Sequence, residues 1–209
     1  MRRWPRPAET MSDASSPGRA VVLATRNAHK IREMQRLLEP LGIVAEALPD
    51  DVDLPPEDGA TFADNALAKA QAAASETGRP AIADDSGIEA TALGGGPGVR
   101  SARFAGENAT DEDNLSKLVA EAPADSRLRY VCALAYVNPE TGEERVFFGD
   151  CRGRVARERA GSNGFGYDPV FVPDATGDNR TMAELTDAEK DAISHRGHAV
   201  RALTRWLRP

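Results

Sequence analysis

Pro80-Ala81-Ile82-Ala83-Asp84-Asp85-Ser86-Gly87-Ile88 is the stretch on which the reading of this chain turns. An apolar run of strand character delivers two adjacent carboxylates, a Ser and a Gly, a common way of presenting a reactive acid at a strand end. Side chains alternate along a strand, so Asp84 and Asp85 are expected on different sides unless the chain has already turned, and only one is the primary reactive group. A solvated Asp-Asp-Ser-Gly turn is the plain alternative, since all four residues favour turns.

Downstream, residues 88–93 alternate like a further strand, and Gly94-Gly95-Gly96-Pro97-Gly98 calls for positive φ or close approach of another backbone. Thr110 and Asp113 have the spacing of a capping box, opening a helix in which Leu115, Leu118 and Val119 face the core. Leu128, Tyr130, Cys132, Leu134 and Tyr136 alternate as in a strand, and Asn138-Pro139-Glu140-Thr141-Gly142 turns the chain into a partner around Val146-Phe147-Phe148. This hairpin, continued to Val155, reads as an antiparallel second lobe.

Upstream, Thr61 with Asp64 caps an alanine-rich helix that ends at Gly78. The acidic loop of residues 50–59 offers oxygen ligands to a divalent cation, although such runs are more often simply solvated. Residues 43–47 and 20–24 read as strands. The first strand passes through Thr25-Arg26-Asn27-Ala28-His29-Lys30 into a helix with Ile31, Met34, Leu38 and Leu41 on one face and Asn27 as N-cap. A strand, a polar loop and a helix N-terminus make an anion site, because free N–H groups and the positive dipole end point outward. Arg26, His29 and Lys30 add charge there; a capped turn carrying surface cations is the alternative. Neither a Walker pattern nor Gly-x-Gly-x-x-Gly occurs, which disfavours the two commonest nucleotide folds.

With 209 residues, 41% hydrophobic and 28% charged, the composition is that of a globular protein, and residues 20–209 are expected to form one domain in two lobes. A net charge of −7 argues against nucleic acid as a partner, because phosphate backbones are held by surplus Lys and Arg. A small anionic substrate stays open where positive charge is concentrated. Cys132 and Cys151 lack Cys-x-x-Cys spacing and read as reduced core thiols of a cytoplasmic protein. No run approaches the roughly 20 apolar residues that span a bilayer, so no membrane partner is expected. Residues 1–19, rich in Arg and Pro without an apolar segment, read as a disordered leader and not a secretory signal.

Two motifs lie late in the chain. Gly161-Ser162-Asn163-Gly164-Phe165-Gly166-Tyr167-Asp168-Pro169 sets two aromatics among glycines, which suits stacking on a flat base, the alternative being that both rings cap the core. Thr186 and Glu189 open the last helix, which carries Lys190, Ser194, His195 and Arg196. Lys190 is about one and a half turns from His195 and Arg196, so a kink near Ser194 is expected if they share a face.

Thr25-Arg26-Asn27-Ala28-His29-Lys30, Asp84-Asp85-Ser86-Gly87, Leu93-Gly94-Gly95 with Pro97-Gly98, Ser101-Ala102-Arg103-Phe104, Phe165-Gly166-Tyr167-Asp168 and Ala192-Ile193-Ser194-His195-Arg196 follow in order. This series resembles the inosine triphosphate pyrophosphatase family, hydrolases of non-canonical purine nucleoside triphosphates. It departs from the pattern at Arg26 and His29, where many relatives carry Gly. The resemblance implies an elongated α/β fold: a mixed sheet with flanking helices in two lobes, a central substrate cleft and a homodimeric state. It also implies Mg²⁺-dependent hydrolysis of the inosine, deoxyinosine and xanthosine triphosphates (ITP, dITP, XTP) to the monophosphate and pyrophosphate.

By the same resemblance Asp85 is the catalytic proton acceptor and a metal carboxylate, Glu57 the second metal acid and Ser86 a substrate contact. Residues Thr25, Arg26, Asn27, Ala28, His29 and Lys30 would take the phosphates, with Lys190. Phe165, Gly166, Tyr167 and Asp168 would hold the base together with His195 and Arg196, whose donors favour a 6-oxo purine over adenine. Two other readings stay open. One is a septum-inhibitor-like pyrophosphatase of different base preference; the other is a nucleotide-binding regulator without turnover, against which the retention of Asp85 and Glu57 argues.

Overall fold

The apolar run and both acids of the opening stretch lie inside one unbroken strand, β3 (Ala81–Ala90), so the Asp-Asp-Ser-Gly turn is not formed and the acids stand in mid-strand. Alternation puts Asp84 on the side of Ile82 and Asp85 on the side of Ala83. Each carboxylate has partners on its own side of the sheet, and extended backbone is retained through both. The computed structural model describes residues 19–207; residues 1–18 of the expected leader lie outside the described residues, and Arg19 already belongs to the first strand.

The sheet has six strands in the order β2-β1-β3-β4-β5-β6. Strands β1 (Arg19–Leu23) and β2 (Ile43–Ala47) pair in parallel, and β1 pairs in parallel with β3. From β3 onward the pairing is antiparallel, through β4 (Arg127–Asn138), β5 (Glu143–Val155) and the short β6 (Phe171–Pro173). The expected hairpin is therefore present, and it is hydrogen-bonded edge to edge with the parallel half through β3.

Helices cover both faces. Helix α1 (Ala28–Leu38) follows β1, capped by Asn27, and α2 (Phe62–Thr77) has the Thr61–Asp64 capping box and the Gly78 C-cap read from the sequence. Ala66, Ala70, Ala73 and Ala74 of α2 pack on Val22, Ala81, Ala83, Val131, Ala133 and Ala135. Small residues on both sides let this helix lie close to the sheet. The opposite face, with Leu23, Ile82, Cys132, Leu134 and Tyr136, is covered by α1 and by α5 (His195–Leu207). A third cluster, beyond the acids, gathers Ile88, Tyr130, Phe171, Met182 and Leu185 with Leu115 and Leu118 of α3 (Asp111–Glu121).

Three local expectations shift. Leu41 is 38% exposed, because α1 ends at Leu38 and Pro40 tightens the chain into a 3-10 turn that takes Leu41 out of phase. Val119 is 40% exposed, since the buried stripe of α3 runs through Leu115 and Leu118. The strand expected over residues 88–93 ends at Ala90 and gives way to a 3-10 turn, after which Gly94 and Gly95 take φ of 61° and 97°. The expected break at Ser194 is present: α4 (Asp187–Ile193) stops there, Ser194 turns extended with ψ 153°, and its Oγ accepts the Gly197 N–H at 3.0 Å to start α5. Among the described residues no helix is long and apolar enough to cross a membrane. Cys132 and Cys151 are free and buried, and burial pushes both thiols up to about 12.

Helix α5 rests directly on β5 at Gly149. A Cβ there would lie 2.1 Å from the His195 carbonyl oxygen and 2.5 Å from the Ala199 nitrogen. Gly149→Ala is expected to lose about 1–3 kcal/mol by overpacking, read as a lower urea midpoint; an unchanged midpoint would mean that the start of α5 shifts without cost.

Candidate active site

The start of α1, the loop of residues 50–59, α2, the middle of β3, the Gly-rich loop of residues 161–168 and the α4–α5 junction enclose a cavity of roughly 370 Å³. Of the residues expected at the site, Thr25, Arg26, Asn27, Lys30, Glu57, Asp85, Ser86, Phe165, Gly166, Tyr167, Asp168, Lys190, His195 and Arg196 line it; Ala28 and His29 do not.

One wall is a buried chain of alternating charges. Lys30 Nζ stands 3.2 Å from Asp84 Oδ2. Arg196 donates to the same oxygen from Nη2 at 2.9 Å and from Nε at 3.2 Å, and from Nη1 to Glu33. Lys190 bridges Glu33 Oε1 and Asp168 Oδ2, at 2.7 Å each, and the Tyr130 hydroxyl donates to Asp168 Oδ1 at 3.1 Å. Burial pushes the Asp84 carboxyl up, but Lys30, Arg196 and Lys69 outweigh it and hold Asp84 well below the usual range. Glu33 is likewise lowered, burial being outweighed by Arg196 and Lys190. His195 lies over Tyr130 with ring centroids 4.7 Å apart. Burial, then Arg196 and Lys190, keep its imidazole well below the ordinary value, hence uncharged at neutral pH, and its Nδ1 has no hydrogen-bond partner among the described residues.

Asp85, on the other side of β3, is in the reverse situation. Its Oδ2 accepts from Asn65 Nδ2 at 2.8 Å and its Oδ1 from the Ser86 N–H at 3.0 Å. Burial raises its pKa; Asn65 and Lys69 oppose the shift and Glu57 adds to it. Lys69 forms an ion pair with Glu57 and donates to the Asp84 carbonyl oxygen at 2.8 Å. Neighbouring acids with pKa values pushed apart are the usual mark of a division of chemical roles: Asp84 is held low by the cations it anchors, and Asp85 is pushed up by burial.

Several expected roles change. Asn27 Oδ1 accepts the His29 and Lys30 N–H groups at 2.9 and 3.2 Å, and Thr25 Oγ1 accepts the Asn27 N–H at 3.2 Å. These helix-end amides are satisfied by the cap, so the Lys30 ammonium carries the positive charge of that end into the cavity. Arg26 donates to the carbonyls of Leu48, Pro49 and Val52 at 2.7–2.9 Å and straps the loop leading to Glu57. Tyr167 is buried, its hydroxyl donating to the Ser101 carbonyl at 2.7 Å, so of the two aromatics Tyr167 serves the core and Phe165 stays half-buried at the cavity. Asp168 Oδ2 accepts the Phe165 N–H at 2.9 Å, organising the loop. Lys190 Nζ lies 5.2 Å from the Phe165 ring centre. The Arg196 guanidinium is enclosed by Asp84, Glu33 and the Ser86 hydroxyl.

Asn65, Lys69 and Glu33 contribute contacts at the site and were not among the residues expected there, whereas Asp84, one of the two central acids of the sequence, is the one that pairs with the cations. Asn65 and Lys69 are four apart, beside the Ala66–Ala70 stripe of a helix, and buried polar groups in that phase were the available signal. Glu33 had none, being one charge among several on α1.

Because Asp84 and Glu33 have folded pKa values below their unfolded ones, the stability they contribute is whole above the ordinary carboxylate range and is lost as pH falls through about 4 and below. Asp85 acts in the opposite sense. Asp84→Asn is expected to cost about 3–5 kcal/mol at neutral pH by leaving buried cations uncompensated, and to flatten the acid limb of stability measured by circular dichroism. An acid limb parallel to the wild type would show that Asp84 does not supply it.

With the geometry in place, comparison with known proteins is direct. The model of the Ham1 family matches residues 21–206. A curated dITP/XTP pyrophosphatase of Cutibacterium acnes is 49% identical over 191 residues, 88% of this chain and 93% of that protein. One from Shigella flexneri is 49% identical over 194 residues, 90% and 98%. The solved HAM1 protein from Coxiella burnetii has a TM-score of 0.79 at 42% identity, covering 90% of this chain and 98% of its own. Five of the six motifs that carried the resemblance contribute residues to one cavity, the family model spans most of the chain, and this chain belongs to the Ham1 family.

Proposed function

We propose that the chain hydrolyses non-canonical purine nucleoside triphosphates, ITP, dITP and XTP, to the monophosphate and pyrophosphate with Mg²⁺, removing them from the nucleotide pool. Support comes from the dITP/XTP pyrophosphatase names of relatives 49% identical to it. The observation that carries the reading is Asp85: a buried carboxylate of raised pKa, both oxygens oriented, opening on a cavity that also holds Lys30 and Lys69.

Among the described residues no three acids, His or Cys form a metal cluster. That fits Mg²⁺, which takes one or two carboxylates and completes its shell with water and substrate phosphates. Glu57 adds to the upward shift of the Asp85 carboxyl, and a hard cation held by these two acids would relieve it. When bound it would supply positive charge to the phosphates. Lys30 and Lys69 neutralise further phosphate charge, and positioning with charge neutralisation is most of what phosphoryl transfer requires. Asp85 takes the proton of the attacking water; the water oxygen bonds to the α phosphorus as the bond from that phosphorus to the bridging oxygen breaks and pyrophosphate leaves with that oxygen. The base stacks on Phe165, and His195 Nδ1, unpartnered, donates to the 6-oxo group, leaving adenine mispaired. Arg196 orients this end through Asp84 and Ser86.

The reading includes a homodimer, supported by Phe148 of β5, 61% exposed, which a second copy would cover; sedimentation tests it. A cytoplasmic location is in keeping with two free, buried cysteines.

With Mg²⁺, ITP, dITP and XTP are expected to yield pyrophosphate, while GTP, ATP and dUTP stay largely intact. Asp85→Asn is expected to lower the rate about 10²- to 10⁴-fold. Orthophosphate as product, or full activity in Asp85→Asn, would overturn the mechanism. Turnover of dUTP would favour the septum-inhibitor-like reading, and bound but intact nucleotide the regulator.

A further inference from the structure

Phe165 stands on a backbone that is well anchored. Its N–H is held by Asp168, the Gly166 N–H is held by Asp111 Oδ2 at 3.0 Å, and the flanking Gly164 and Gly166 take φ of 75° and 60°. The ring itself is not in the core. Its aromatic neighbour is His29, at 5.1 Å between centroids and 28° between planes, and Lys190 and Arg196 lie 5.2 and 5.8 Å from its centre. Lys190 and Arg196 belong to the buried lining of the cavity, whereas His29 is exposed and outside it, so Phe165 stands between floor and rim.

The imidazole of His29 is itself oriented. Arg32 Nη2 lies 2.9 Å from His29 Nδ1. A guanidinium only donates, so Nδ1 accepts and the ring proton is on Nε2. Arg32 is three residues on along α1, where side chains meet on one face. The two rings therefore join the start of α1, which carries Lys30, to the Gly-rich loop across the mouth of the cavity.

We infer that His29 is a positioning residue for the purine base, bracing the Phe165 ring from the rim so that its stacking surface is preformed. This rests on the reading above that the base stacks on Phe165. A base that must order a free ring loses affinity relative to one meeting a fixed ring, and an aromatic contact of this kind corresponds to a factor of about 2 to 13 in affinity. His29 touches the Phe165 ring and does not itself line the cavity, so the effect falls on binding and not on the chemical step.

The test uses the full chain with Mg²⁺ and dITP, comparing wild type, His29→Ala, His29→Tyr, Phe165→Leu and the double variant. His29→Ala is expected to raise KM about 3- to 10-fold with kcat within about twofold. His29→Tyr, which restores a stacking ring, returns KM to near wild type, and His29→Ala adds nothing in the Phe165→Leu background. A second readout needs no turnover: in the unliganded chain, deuterium uptake over residues 163–168 rises in His29→Ala and returns in His29→Tyr. An unchanged or lowered KM, a full KM effect in the Phe165→Leu background, or unchanged deuterium uptake would overturn the bracing role. Wild-type protein that leaves dITP intact would instead overturn the functional reading, and the exchange measurement would then decide the bracing alone.

Discussion

The Arg196 guanidinium, fully enclosed between Asp84 and Glu33, is the interaction on which the site depends. Burying ions costs several kcal/mol each unless partners of opposite sign complete the set. Here the alternation Lys30, Asp84, Arg196, Glu33, Lys190, Asp168 is complete, and it ties β3, α1, α4, α5 and the Gly-rich loop to one another. The break at Ser194 belongs to the same constraint, since a continuous helix would not present both Lys190 and Arg196 to Glu33.

This arrangement leaves Asp85 as the exception. One step along β3 from Asp84, it faces α2 and not the cations of α1 and α5, and its hydrogen bonds come from a neutral amide and a backbone N–H. The strand's alternation thus separates, within a single dipeptide, a carboxylate held by cations from one held by neutral donors. Lys69 links the two sides, reaching Glu57 by its charge and the Asp84 backbone by a hydrogen bond.

At the other end, the Gly-rich loop supplies shape more than charge. Asp168 closes the turn on the Phe165 amide and hands its remaining capacity to Lys190 and Tyr130, so the loop is built on the same network as the charged wall of the cavity. Gly149 completes the arrangement by letting the start of α5 rest on β5, which carries His195 and Arg196 inward.

What the sequence by itself determined is local. The Asn27 cap, the boxes Thr61–Asp64, Thr110–Asp113 and Thr186–Glu189, the hairpin after β4 and the kink at Ser194 all arise within a few residues, where propensity and capping act without the rest of the fold. The motif series located most of the cavity lining for the same reason, each motif being a short contiguous piece. The roles within it were decided by tertiary structure. Glu33 meets Arg196 across 163 residues and Asp84 across 112, and only closure of the sheet makes such pairs. Whether Arg196 faces a ligand or an acid, whether Tyr167 is core or platform, and in which direction each of two adjacent carboxyls is shifted depend on burial and on charges brought in from distant segments, which no local pattern records.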